Sequence, residues 1–106
     1  MTKVQELTGD KFDKFIGEGT TIVDFFADWC MPCVMMAPVM DELSDKFDKK
    51  IKFAKVNVDK NRELAQKFNI ASIPNFVLFK DGKQVEQFTG AMSSEEFEKK
   101  LQSFTE

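Results

Sequence analysis

Both cysteines of the chain stand three residues apart, in Ala27-Asp28-Trp29-Cys30-Met31-Pro32-Cys33, and no other stretch restricts the fold as much. Upstream, Thr20-Thr21-Ile22-Val23-Asp24-Phe25-Phe26-Ala27 is an apolar, β-branched and aromatic run that reads as a strand. Downstream, a helical pattern runs from about Pro32 to Phe47. Cys30 therefore falls where a strand hands over to a helix, and Cys33 lies one turn inside that helix. Residues at i and i+3 share a helix face, with Cα atoms near the separation a disulfide needs. The first thiol meets the unpaired N–H groups and the positive end of the helix dipole, which favour the nucleophilic thiolate. Proline is tolerated in a helix's first turn, so Met31 and Pro32 do not oppose this placement. A pair so placed can close, open and attack.

Composition narrows the chemistry. With 106 residues the chain is expected to be one domain, 1–106, large enough for a sizeable core. Histidine is absent, which removes Cys–His catalysis, histidine metal sites and histidine pH switching. Fifteen basic and eighteen acidic residues are interspersed, so no nucleic-acid footprint is present. No run approaches the ~18 apolar residues of a membrane span, and none is expected. The segment Met1 to Leu7 has no apolar core of a secretory signal, so a cytoplasmic chain is expected. In a reducing cytosol, cysteines at this spacing read as redox chemistry and not as a staple.

The remaining elements follow in order. Val4-Gln5-Glu6-Leu7 is a short strand candidate, and Thr8-Gly9-Asp10 opens a helix with Phe12, Phe15 and Ile16 on one face, ending at Gly17-Glu18-Gly19. The strand over 21–27 is apolar on both faces, as a central strand is. In the long helix Met36, Val39, Met40, Leu43 and Phe47 recur at helical spacing, and Pro38 is expected to kink rather than end it. Residues 51–59 read as a strand, 61–68 as a helix and 75–80 as a strand. Asp81-Gly82 signals a tight hairpin into 83–88. Ser93-Ser94-Glu95-Glu96 is a capping box for a last helix with Phe97, Leu101 and Phe104 on one face. The order βαβαβαββα describes an α/β fold, a mixed central β-sheet flanked by helices on both faces.

Trp29-Cys30-Met31-Pro32-Cys33, the strand residue Asp24, Pro38, Lys55, Ile73-Pro74, Gly82 and Gly90 form an ordered set over nearly the whole chain. In this set the chain resembles the thioredoxin family. The resemblance implies the thioredoxin fold and a protein-disulfide reductase without bound cofactor. Cys30 attacks a target disulfide, and Cys33, the more buried thiol, resolves the mixed disulfide. The implied partners are disulfide-containing target proteins and, as electron donor, a thioredoxin reductase; a monomer is expected. The family has a cis proline at Pro74, against the base rate of about 5–6% for X–Pro bonds. Ile73 then offers backbone groups to an extended peptide, and Trp29, Met31, Pro32, Ile73, Gly90 and Ala91 form an apolar docking rim.

Asp24 stands between Val23 and Phe25, where a charge is costly to bury, and a desolvated carboxyl has a raised pKa that suits a proton acceptor. Strand parity places Asp24, Phe26 and Asp28 on one face. The resemblance implies Lys55 as its partner and proton exchange with Cys33 through water. Departures from the family pattern are Met31 for glycine, Val34 for lysine, Phe26 for tryptophan and Asn75 for threonine; they bear on redox potential and partner choice.

Competing readings are weighed on the same residues. Two inert core cysteines, or half a zinc site, fit the strand-to-helix placement poorly. Met31, Met35, Met36 and Met40 are soft enough for copper(I), but helical spacing assigns Met36 and Met40 to the core, and no metal is expected. An oxidase or isomerase, or a non-catalytic binding module using the apolar rim, remain the alternatives.

Overall fold

The computed structural model describes residues 3–105; Met1, Thr2 and Glu106, which the 1–106 expectation includes, lie outside the described residues. Among the described residues five strands and four helices follow in the order β1 (Gln5–Glu6), α1 (Gly9–Ile16), β2 (Thr20–Phe26), α2 (Met31–Lys46), β3 (Lys52–Asn57), α3 (Arg62–Lys67), β4 (Asn75–Lys80), β5 (Lys83–Thr89) and α4 (Ser94–Gln102). The sheet order is β1-β3-β2-β4-β5. β2 pairs with β3 in parallel and with β4 in antiparallel sense, so β2, buried on both faces, holds the centre. Asp24 is thereby placed opposite Lys55 on one side and Phe76 on the other.

Strand parity divides the core in two. Ile22, Phe76 and Leu78 pack with Met36, Met40 and Leu43 of α2 and Phe97 and Leu101 of α4. Val23, Phe25, Val77 and Phe79 face the other way, onto Phe12 and Ile16 of α1 and Leu64 and Phe68 beside α3. Asp24 has the parity of Ile22, so it points towards α2, the helix that carries Cys33.

The turn chemistry matches the residues. Asp81 (φ 49°) and Gly82 (φ 86°) are both left-handed, as a two-residue hairpin turn of the primed type requires. Ser93 caps α4 by accepting from the Glu96 N–H at 3.1 Å. Pro38 lies inside α2, which continues to Lys46, so the helix runs on past the proline as expected. Most boundaries differ by a residue or two. β1 is only two residues, because an edge strand extends no further than its pairing with Ala54 and Lys55 of β3. β3 stops at Asn57, whose side chain accepts the next backbone N–H groups and turns the chain. α3 spans 62–67, and Phe104 lies beyond the end of α4. In β5, Val85 is an extra residue between the Leu78–Glu86 and Phe79–Gln84 pairs, a bulge that bends the exposed edge. Among the described residues no helix is long and apolar enough to cross a membrane.

Candidate active site

Cys30 is the N-cap of α2, in extended conformation (φ −91°, ψ 107°), with Met31 and Pro32 opening the helix. Its backbone N–H donates to Ala27 O at 3.2 Å and its carbonyl accepts from the Val34 N–H at 3.0 Å. The Cys33 N–H donates to Cys30 Sγ at 3.3 Å. That sulfur therefore takes the place of a capping oxygen, where an otherwise unpaired helix N–H stabilises negative charge. Cys30 and Cys33 are joined by a disulfide, with Cα atoms 5.2 Å apart.

The two cysteines differ in surroundings more than in burial. Cys33 is expected to be the more buried thiol; in the disulfide form the two residues are buried nearly alike, Cys30 5% exposed and Cys33 4%. Cys30 Sγ lies 3.8 Å from Ile73 O, on the side of the proline loop. Cys33 instead lines a partly open cavity of about 260 Å³, shared with Asp24, Phe26, Asp28, Asp41 and Lys55.

Asp24 is 4% exposed and its Oδ1 has no hydrogen-bond partner. Burial pushes its carboxyl up to about 7, and the positive charge of Lys55 opposes that rise. The cavity is large enough for a water between Asp24 and Cys33. Lys55 faces Asp24 across the sheet, but its ammonium sits over the Phe26 ring, 5.5 Å from the centroid. It acts on Asp24 through the field rather than through a hydrogen bond. Phe26 also packs against the cluster formed by Ala27, Cys30 and Cys33.

The Ile73–Pro74 peptide is cis. Pro74 is buried, Ile73 is half-buried against the disulfide cluster, and the Gly90 N–H (φ 92°) donates to Pro74 O at 2.9 Å. Ile73, Pro74 and Gly90 are thus brought to Cys30. Ala91 follows Gly90 and is exposed. Asn75 is held by its amide on Ser72 O at 3.3 Å and by the Gln87 amide on its Oδ1 at 3.0 Å. Trp29 and Met31 are exposed beside the pair, and Pro32 is exposed in the first turn.

Sequence reasoning missed Asp59, whose Oδ2 accepts the Trp29 indole N–H at 2.8 Å. Asp59 is itself placed by its N–H on Asn57 Oδ1 at 2.9 Å. An Asn two residues before an Asp is a turn signal that could have marked this loop; its contact with Trp29 has no local signature. Val34, read above as bearing on partner choice, and Met35, read as a soft sulfur, are both exposed on α2. A larger cavity of about 680 Å³ lies elsewhere, lined by Lys3, Phe15, Asp48 and Lys50 among others, and holds none of the candidate residues. Among the described residues no group of three or more Cys, Asp or Glu side chains could hold a metal.

Comparison with known proteins agrees with the geometry. The family model described as Thioredoxin matches residues 3–103. A protein named Thioredoxin from Staphylococcus saprophyticus is 41% identical over 92 residues, covering 87% of this chain and 88% of that protein. One of the same name from Staphylococcus haemolyticus has the same identity and coverage. A third, from Chlamydia pneumoniae, is 37% identical over 87% of this chain and 89% of its own length.

Proposed function

The chain belongs to the thioredoxin family and is a thiol–disulfide oxidoreductase; on that premise we propose that it is a protein-disulfide reductase, a single domain over 1–106 that works in the cytoplasm as a monomer. The observation that carries the reading is the division of surroundings: Cys30 Sγ beside Ile73 O of the proline loop, Cys33 on the cavity shared with Asp24.

In the reduced protein Cys30 is the nucleophile. Its thiolate, held by the helix N–H groups, attacks one sulfur of a target disulfide. The target S–S bond breaks, a Cys30–target bond forms, and the leaving thiolate takes a proton from solvent. Asp24 then accepts the Cys33 proton through water, and a carboxyl near 7 is matched to that task at neutral pH. The Cys33 thiolate attacks Cys30 Sγ, the Cys30–Cys33 disulfide closes, and the second target thiolate leaves. Two electrons pass to the target and two protons follow them. Lys55 tempers the carboxyl, Pro32 opens the helix without disturbing the pair, and Pro74 turns the Ile73 carbonyl towards Cys30. Trp29, Met31, Ile73, Gly90 and Ala91 receive the target, with Ile73 backbone groups pairing to its extended chain. A thioredoxin reductase, in the family a flavoprotein fed by NADPH, returns two electrons to the disulfide.

Reduction of insulin with dithiothreitol as electron source tests the reading. The natural chain accelerates it well above the dithiothreitol blank, and a variant with both cysteines replaced by serine falls to the blank. A serine variant that keeps the full rate would make the chain a binding module.

A further inference from the structure

The described methionines divide sharply. Met36 and Met40 are 1% and 2% exposed in the core, and Met92 is half-buried with its N–H on Met36 Sδ at 3.4 Å. Met31 and Met35 are instead 67% and 66% exposed. Spaced i and i+4 on α2, they share one helix face with Val34, 51% exposed, and the patch runs on to Trp29, 70% exposed. Met31 follows Cys30 directly. Nothing in the disulfide chemistry uses these thioethers.

We propose that Met31 and Met35 are a modification site, where a hydroperoxide forms methionine sulfoxide and so weakens docking of protein targets while the Cys30–Cys33 exchange itself continues. The proposal rests on the reading that targets dock on this face. In the disulfide form the two cysteine sulfurs are bonded to each other and almost wholly covered. Among the described residues the most accessible sulfurs are then the two thioethers. In each step the thioether lone pair attacks the terminal peroxide oxygen, an S–O bond forms and the O–O bond breaks. The hydroperoxide proton moves to the leaving oxygen, giving water or an alcohol. Sulfur loses two electrons and the peroxide gains them.

The product is polar and chiral where the apolar, adaptable thioether stood, a change that disrupts methionine-rich contact surfaces. A target that covers this face must then bury a sulfinyl oxygen with no donor provided for it. Reversal takes a dedicated reductase, so the mark outlasts the dithiol–disulfide cycle. Peroxide thus reaches the oxidised chain at a second, slower redox site beside the first.

The test treats the full chain, in its disulfide form, with hydrogen peroxide, removes the peroxide and maps oxygen addition by peptide mass. Dithiothreitol-driven reduction of insulin and of a small aromatic disulfide is then measured before and after treatment. Oxygen is expected at Met31 and Met35 well ahead of Met36 and Met40. KM for insulin is expected to rise about tenfold, with the small disulfide reduced at nearly its original rate. In a chain carrying both Met31→Leu and Met35→Leu, compared only with itself, peroxide leaves KM for insulin where it was. The proposal is overturned if both sulfoxides form and KM does not move, if peroxide oxidises the buried methionines first, or if the leucine chain loses as much as the natural one. Failure of the untreated chain to reduce insulin overturns the reductase reading and the proposal with it, and is told apart because it comes before any peroxide.

Discussion

Replacing Asp24 by asparagine removes the one buried charge at the centre of the sheet, and the expected effect can be worked out. In the unfolded chain the carboxyl ionises near its ordinary 3.8, and in the folded chain at about 7, chiefly because burial penalises the charge. Between those values the unfolded state has lost its proton and the folded state keeps it. Stability is therefore full below about 3.8, falls as pH rises, and levels off above about 7. At about 1.4 kcal/mol per pH unit, the deficit above that window is on the order of 4 kcal/mol. Asparagine cannot ionise and escapes the deficit, but its amide meets the same lack of partners that leaves Asp24 Oδ1 unpaired, a cost of about 1–3 kcal/mol. The balance makes Asp24→Asn equal to or less stable than the natural chain at about pH 4, and about 1–3 kcal/mol more stable at about pH 8. Urea unfolding of both chains in the disulfide form, at each pH, reads this directly. A stability difference that does not change between the two pH values would refute the reasoning, since a buried, late-titrating carboxyl must make it change. The same variant is expected to resolve the mixed disulfide more slowly near neutral pH.

Three further outcomes are expected. Met31→Gly should move the Cys30–Cys33 potential by no more than about 30 mV and reorder protein substrates while the fold stays intact, because it loosens the turn and removes apolar contact; a glutathione titration beside insulin reduction checks it, and identical values would make Met31 neutral. Asp59→Ala frees the Trp29 indole from its 2.8 Å hydrogen bond, so KM for a protein disulfide should rise about two- to tenfold as a net hydrogen bond of about 0.5–1.5 kcal/mol is lost, with the potential unchanged. Phe97→Ala empties a fully buried site whose ring lies 4.8 Å from Phe76 and 5.5 Å from Phe88; chemical denaturation should show a loss of about 3–5 kcal/mol.

How far the residues alone reach depends on the range of the interactions involved. β2 and α2 were legible because their signals are local: a continuous apolar strand, then apolar residues at helical spacing with a proline in the first turn. Asp81-Gly82 and the Ser93 cap are local too, and both stand where expected. β1 was drawn too long because its extent is set by pairing with β3, almost fifty residues onward. The pairing of Trp29 with Asp59, and the seat of Lys55 on Phe26, join residues about thirty apart and appear only once β3 lies beside β2.

The assignment of Cys30 as attacking sulfur and Cys33 as resolving sulfur is tested most directly by trapping. With Cys33→Ser, incubation of the reduced chain with a disulfide protein is expected to accumulate a mixed disulfide at Cys30, identified by peptide mass and released by dithiothreitol. With Cys30→Ser, little or no adduct is expected, since Cys33 lines the cavity shared with Asp24, one turn inside the helix. An adduct that builds up on Cys33 in the second chain, with none on Cys30 in the first, would contradict the assignment.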